Sequence, residues 1–530
     1  MKRVFWALPV AVVAASAASV AAAHSPSAPT LTGVSAANTK SPGFAPATRL
    51  SPELSQTVVA QGATKLENPS AQIGYYGYDS DQVNTAGEPL MVPLPSAPTV
   101  EAHKTEPDKN TYLVFKKGLH GADPNYDYGT HFLFQGHESG TPGYVTRVNL
   151  DADAAHRVTL MTTVPSGDID GSTWDPWAQR LLLTTENASA PTYAATADYP
   201  STVTDISGAV GRGGYEGVQN DSAGNIWLVE DIGGAKKVNT SGATTAAKIP
   251  NSFVYRYVPA TPGDLQNGRL QVLRVSNASG QPITQASQTA LNSPDQLALH
   301  TYGAKFDTRW VTIHDTATDG NASFNANALA LADGGTPFKR PENGQFRPGS
   351  HFGEFLFDET GDTDATSPEN NTAGGWGSVF KLRQSSPTAD TGTLSLFYKA
   401  DQSTAAFDNV TFLSRNLVTF VQDAGDTLHA QANALDSGWL FDVTRDYSHV
   451  GTHPIRWIAE GRDPSATVDS GTPTGNDGDN ELTGVHVSDG DPTTSGILGA
   501  KVPQLNNTKW RWFYTQQHGD NATYEVTLNH

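Results

Sequence analysis

Glu216-Gly217-Val218-Gln219-Asn220-Asp221, then Gly224-Asn225-Ile226-Trp227-Leu228-Val229-Glu230-Asp231, is the stretch on which the fold reading turns. An acid and a small residue open a short strand, a turn follows, and a second strand rich in branched and aromatic residues ends in an acid. The same unit occurs twice more. Asp170-Gly171-Ser172-Thr173-Trp174-Asp175-Pro176 precedes Arg180 to Asn187, and Asp408-Asn409-Val410-Thr411-Phe412 precedes Asn416 to Asp423. Between these units lie further strand candidates, Ser252 to Pro259, Trp310 to His314, Ser378 to Leu382 and Leu394 to Lys399. Irregular units of about four strands point to a β-propeller, with a sandwich carrying acidic loops as the rival. The expectation is an all-β propeller of about six blades, with long insertions and a few short helices. Ser287 to Leu299 and Ala322 to Ala332 are the helix or loop candidates of an inserted lobe.

Composition narrows the function. The 530 residues carry 54 acids against 34 lysines and arginines, a formal charge of −20. That balance argues against nucleic acid and anionic membrane as partners, and it suits divalent cations. Cysteine is absent, so no thiolate can act as nucleophile or metal ligand. Lys2-Arg3, an apolar run from Val4 to about Val13 and the small residues up to Ala23 read as a Sec-type signal peptide over residues 1–23. The expected location is therefore periplasmic or secreted. Residues 24–66, rich in Ser, Ala, Thr and Pro, are expected to be an extended, partly disordered lead-in, with a single propeller domain over 67–530. A monomer is expected.

In a propeller the innermost strands line a central channel, so acids at their ends converge on the axis. Glu186, Glu216, Glu230, Glu342 and Asp423 are the candidate metal ligands, and carboxylates at one focus suit Ca²⁺ above other ions. Arg340-Pro341-Glu342 places a cation and an anion on stiff backbone about one strand period apart. That suits a metal-plus-anion site, and it equally fits a surface salt-bridge loop. Asp358-Glu359-Thr360-Gly361-Asp362-Thr363-Asp364 and Asp477-Gly478-Asp479-Asn480-Glu481 are two further acidic loops that could bind calcium, though neither has EF-hand spacing. His314 is a weaker ligand candidate and Trp376 a candidate pocket wall. There is no Gly-x-Ser-x-Gly elbow, His-Glu-x-x-His or P-loop.

Residues from about Gly167 to Val443 resemble the PhoX-type alkaline phosphatases. The resemblance rests on Trp174 to Glu186, Glu216-Gly217 with Leu228-Val229-Glu230-Asp231, Ser252 to Pro259, Arg340-Pro341-Glu342, and Asp408-Asn409 leading to Asp423. It implies a β-propeller whose channel holds calcium and iron and hydrolyses phosphate monoesters. Glu186, Glu230, Glu342 and Asp423 would then be metal ligands. Arg340 would bind phosphoryl oxygens, with Arg340 and Glu342 as the catalytic pair. In the family a cysteine ligates iron just before the first glutamate, whereas this chain has Thr185 there. Fe³⁺ thus lacks its thiolate, and calcium alone, another oxygen-ligated metal, or loss of activity remain open. Two rivals stand beside a phosphatase acting on a small phosphorylated substrate. One is another calcium-dependent propeller hydrolase, a phosphodiesterase or lactonase. The other is a non-enzymatic, calcium-stabilised binding propeller.

Overall fold

The computed structural model describes residues 29–40, 47–62, 64–70, 72–79, 103–138, 142–165, 167–238, 246–290, 293–362, 371–461, 481–518 and 521–529. The expected signal peptide and Asp477 to Asn480 lie outside them.

The described chain is almost entirely antiparallel strand, and its α-helices reach at most 7 residues. The reason is visible in the sequence: branched and aromatic residues alternate over short runs that end in Gly, Asn, Asp or Pro. The repeating hairpins are as expected. Tyr215–Asn220 pairs with Ile226–Glu230, and Ile169–Asp175 pairs with Arg180–Thr185. Phe407–Phe412 likewise pairs with Leu417–Gln422. Aspartates pin two of their turns and Ser414 pins the third. Asp221, for example, accepts from the backbone N–H of Ala223 and Asn225 and from Trp227 Nε1.

Four separate sheets have four or five strands each, and a fifth has nine. The sheets follow one another around a common axis in a propeller-like arrangement. The innermost strand of each packs against the innermost strand of the next. In chain order these strands are Glu106–Val114, Ile169–Asp175, Tyr215–Asn220, Gly344–Phe346, Phe407–Phe412 and Glu481–Ser488, and the last packs back onto the first. The nine-stranded sheet contains two of them, Tyr215–Asn220 at one end and Gly344–Phe346 at the other. Its two halves join through Phe306–Asp315, which pairs with Gly268–Val275 on one side and Thr391–Lys399 on the other.

Apolar clusters fill the spaces between adjacent sheets. In one of them Trp227 meets Trp310, Phe346 and Phe355 with ring centroids 4.9–5.0 Å apart. Aromatic edges against faces of this kind add stabilisation beyond area burial. Trp376 belongs to such a core rather than to a pocket. Helices Pro294–Leu299 and Ala326–Ala332 lie in the inserted segments, where they were expected.

The expected lead-in needs correction. Arg49–Leu50 pairs with Ile455–Ala459, and Leu54–Ala60 pairs with the C-terminal strand Ala522–Leu528. Two sheets therefore take their outer strands from residues before 67. The short strand Leu54–Ala60 lies inside a Ser-, Ala-, Thr- and Pro-rich stretch whose composition masked it. Among the described residues no helix is long and apolar enough to cross a membrane.

Candidate functional site

Five of the six innermost strands begin with the same device; Ile169–Asp175 slips between Ile169 and Ser172, and Gly344–Phe346 pairs without a slip. The pairing register slips between Pro107 and Asn110, Tyr215 and Val218, Phe407 and Val410, and Thr483 and His486. Such bulges insert an extra residue and re-aim its neighbour. The residues so placed are Asp108, Asp170, Glu216 and Asp408, and Glu342 and Thr483 occupy the matching positions in the other two segments. Two residues upstream, on the same face by strand period, lie Glu106, Asp168, Gly214, Arg340, Ala406 and Glu481. Gly214, Arg340 and Ala406 all adopt left-handed backbone, with φ of 60°, 55° and 57°. A third group comes from the end of the second strand of each hairpin: Glu138, Glu186, Asp231, Thr360, Asp423 and Gln517, with His518 one position beyond. The backbone N–H groups of Glu186, Asp231, Thr360 and Asp423 donate to Asp168, Gly214, Arg340 and Ala406 respectively, at 2.8–3.0 Å. Residues from distant parts of the chain thus occupy equivalent places around one axis.

The result is a cavity of about 200 Å³ lined by Glu106, Asp108, Glu138, Asp170, Glu186, Glu216, Arg340, Glu342, Asp408, Asp423, Glu481, Gln517 and His518. Ten of these are carboxylates. Burial, and then their mutual repulsion, pushes Asp108, Asp170, Glu216, Glu342 and Asp423 well above the ordinary carboxylate range. Burial raises Asp408 to about 6, against the opposing effect of the Asn409 amide. Glu481 is the exception. Burial acts against its charge, but His518 holds it well below the usual range, with Nε2 3.2 Å from Glu481 Oε2 and 3.2 Å from Glu106 Oε1.

Arg340 is the fixed cation of the cavity. Its Nε donates to Asp231 Oδ1 at 2.9 Å, and Nη2 meets Asp231 Oδ2 and lies 3.3 Å from Glu342 Oε1. Nη1 is buried and has no hydrogen-bond partner among the described residues. Thr360 Oγ1 donates to Glu342 Oε1, which orients that carboxylate. The backbone around Arg340 is held by Glu359, which accepts from Lys339 N–H at 2.8 Å and lies 2.9 Å from His300 Nε2. The salt-bridge alternative for Arg340-Pro341-Glu342 is therefore met within the cavity rather than on the surface.

The residues fit a hard cation. Asp108, Glu138 and Asp170 each offer an oxygen within 4.8 Å of the others, and Glu186, Glu216 and Asp231 do the same. Asp170 Oδ1 is buried without a hydrogen-bond partner among the described residues. All of these donors are oxygen, the chemistry Ca²⁺ takes. Thr185 does not supply a substitute ligand, because its hydroxyl turns away and donates to the Pro191 carbonyl at 3.2 Å.

The structure thus brings together Glu186, Glu216, Arg340, Glu342 and Asp423. It does not bring Glu230 to them. Strand alternation sends Glu230 and Asp231 to opposite faces. Glu230 Oε2 accepts from Phe253 N–H, Tyr255 Oη and Asn327 Nδ2 in an apolar core. Asp231, one position on, takes the place in the cavity that Glu230 was expected to hold. The acidic loop from Asp358 also resolves into separate roles. Asp358 accepts from Asn343 N–H, Glu359 holds Lys339, and Asp362 accepts from Lys248 N–H. His314 stacks on Phe324 at 3.9 Å in the insertion, away from the axis.

Glu106, Asp108, Glu138, Asp231 and His518 were missed, Asp170 and Asp408 were read as hairpin acids but not as ligands, and Glu481 was read only as the end of a separate acidic loop. An acid followed by Lys109 did not look like an acid followed by Gly or Asn, and a long excursion separates Asp108 from Glu138. Small residues after the acids have a steric reason. A Cβ at Gly171 would collide with the Glu216 carbonyl and the Thr184 hydroxyl. Gly171→Ala is expected to cost about 1–3 kcal/mol, read as a lower denaturation midpoint at unchanged slope.

Fold and site define a class: an all-β propeller whose axis gathers carboxylates around one buried arginine. Residues 248–435 match the family model described as alkaline phosphatase PhoX. The fold is similar to that of Pseudomonas fluorescens PhoX in complex with vanadate, a transition state analogue, at 11% identity, covering 93% of this chain and 98% of that one, with a TM-score of 0.53. A Trichoderma reesei Carbohydrate-Active Enzymes Family AA12 protein aligns at 9% identity over 92% of this chain and 98% of its own, with a TM-score of 0.34, too low to bear on the fold. No curated protein sequence matches. The family match spans Arg340-Pro341-Glu342 and the Asp408 to Asp423 hairpin, and with the fold likeness it bears out the resemblance read from those residues.

Proposed function

We propose that the chain is an exported, metal-dependent phosphatase acting on phosphate monoesters of small molecules. The observation that carries this is Arg340: a guanidinium locked by Asp231 and Glu342 against an acid-lined cavity, with Nη1 unpartnered among the described residues. A planar cation with a spare donor suits phosphoryl oxygens, and a lactone has little use for it. Asp108, Glu138 and Asp170, and separately Glu186, Glu216 and Asp231, would hold divalent cations, with Ca²⁺ favoured by the oxygen donors. Bound there, such ions would neutralise phosphoryl oxygens and acidify an attacking water. The chain's own part is positional. Asp231 and Glu342 fix the guanidinium plane, Thr360 fixes Glu342, and the Glu359–His300 pair fixes the backbone entering Arg340. We count the nine-stranded sheet as two blades sharing Phe306–Asp315, which makes six, as the six matching channel segments support. Periplasmic or secreted location and a monomeric state complete the proposal, resting on the leader sequence and the acidic charge.

Hydrolysis of p-nitrophenyl phosphate by purified protein, with metal analysis and with and without chelator, tests the reading. Turnover that disappears on chelation, returns with calcium and is lost in Glu342→Gln is expected. Calcium binding without turnover under any metal would instead establish a binding propeller.

A further inference from the structure

One cation on the axis has no part in that scheme. The position after each channel acid is held by Lys109, Gly171, Gly217, Asn343, Asn409 and Gly484 in turn. Five are uncharged, and the three glycines leave no room for a side chain. Lys109 is 2% exposed. Its Nζ donates to Asn409 Oδ1 at 3.1 Å. The strand carrying Asn409 is two segments away, and Thr483-Gly484 of the intervening strand offers only a hydroxyl and a hydrogen. Asn409 turns its amide the other way, with Nδ2 2.6 Å from Asp408 Oδ1 and 3.3 Å from Asp108 Oδ1. Asn343 Nδ2 also donates to Asp408 Oδ1, at 3.3 Å, and Thr483 Oγ1 donates to Asp108 Oδ1 at 2.6 Å. One ammonium, two amides and a hydroxyl thus form a layer of donors against the inner side of the carboxylate ring. Burial acts against the ammonium, and the carboxylates of Asp408, Asp108, Asp358 and Asp170 act in its favour. Asp358 Oδ2 is itself buried without a hydrogen-bond partner among the described residues.

We propose that Lys109 is a tethered counter-ion that takes the place of one metal cation at the inner end of the channel, and so limits how many divalent ions the carboxylate ring can hold. A buried charge cluster needs compensation, and a cation delivered by the chain costs no binding entropy and does not dissociate. Lys109 is a positioning residue: it meets Asn409 and the inner side of the acids, while Arg340 faces the cavity.

This rests on the cation-binding part of the proposed function, and equilibrium dialysis with calcium separates the two. Lys109→Met keeps the length of the side chain and removes its charge. It is expected to bind one more calcium per chain than the wild type, with an unchanged circular dichroism spectrum, while Lys109→Arg keeps the wild-type number. A folded Lys109→Met with the wild-type number overturns the role of Lys109 alone. A wild-type chain that binds no calcium overturns the cation reading itself, and the role of Lys109 with it. If Lys109→Met does not fold even in calcium, Lys109→Met/Asp408→Asn, which removes one charge of each sign, decides. Recovery of the fold supports the counter-ion, and failure to recover shows that Lys109 is needed for packing instead.

Discussion

Arg340→Ala is expected to lower kcat/KM for p-nitrophenyl phosphate by about 10²–10³-fold, the effect of removing one donor from a preorganised anion site. Most of the loss should fall on kcat, because the guanidinium is already rigid before substrate arrives, held by Asp231 and Glu342. Arg340→Lys is the informative companion. Both residues bear the same left-handed backbone at φ 55°, so the comparison is free of that strain. Lysine retains the charge but cannot span Asp231 and still present a second donor. An intermediate loss is expected, with calcium content unchanged. Equal activity in Arg340→Lys would reduce Arg340 to a simple charge and remove the argument that favours phosphate over lactone.

The second large effect is on stability. Asp108, Asp170, Glu216, Glu342 and Asp423 are raised by burial first and by one another second, and Asp408 is raised to about 6. A carboxyl whose folded pKa lies above its unfolded value binds its proton more tightly when folded. In chelated protein these groups therefore favour the fold at low pH. That contribution falls as pH rises from about 4, the unfolded carboxyl value, through the folded values, at about 1.4 kcal/mol per pH unit for each proton retained. The cation-free chain is expected to have a higher melting temperature near pH 5 than near pH 8. Saturating calcium should abolish or reverse that slope, because ions that bind only the folded state replace the protons. Scanning calorimetry at both pH values, with calcium and with chelator, gives the comparison. A chelated protein more stable at the higher pH would contradict the description of the cavity.

The hairpins were legible because each carries its own evidence: an acid and a small residue, a turn and an acid-ended strand. Arg340-Pro341-Glu342 was legible for a similar reason, since proline stiffens a cation and an anion into one object. Registers one residue fine were not. Glu230 and Asp231 are adjacent acids at a strand end, and only the bulge between Tyr215 and Val218 and the pairing of Asp231 N–H with Gly214 decide which of them reaches the axis. The first and last segments escaped for another reason. Lys109 broke the pattern of acid and small residue, and Gln517 stands where the other segments supply carboxylates or Thr360, with His518 one position beyond. Lys109 and His518 are a cation and a potential cation beside an anionic axis. The edge strand Leu54–Ala60 shows no such logic in sequence, because its partner lies some four hundred and seventy positions away, as in Ser55 against Thr527.

That pairing has a consequence for the order of assembly. A chain made from its N-terminus presents Leu54–Ala60 among its first strands, yet the partner, Ala522–Leu528, is among its last residues. Arg49–Leu50 waits similarly for Ile455–Ala459. Contacts so far apart in sequence form late and slowly. Until they form, the ring is an open arc, and Glu481 and His518, carried by the last sheet, are missing from the axis. The carboxylates therefore reach their full mutual repulsion only when the final strand docks. Asp108, Glu138, Asp170, Glu186, Glu216 and Asp231 all belong to the first three segments, so both clusters that suit a cation can assemble before the circle closes.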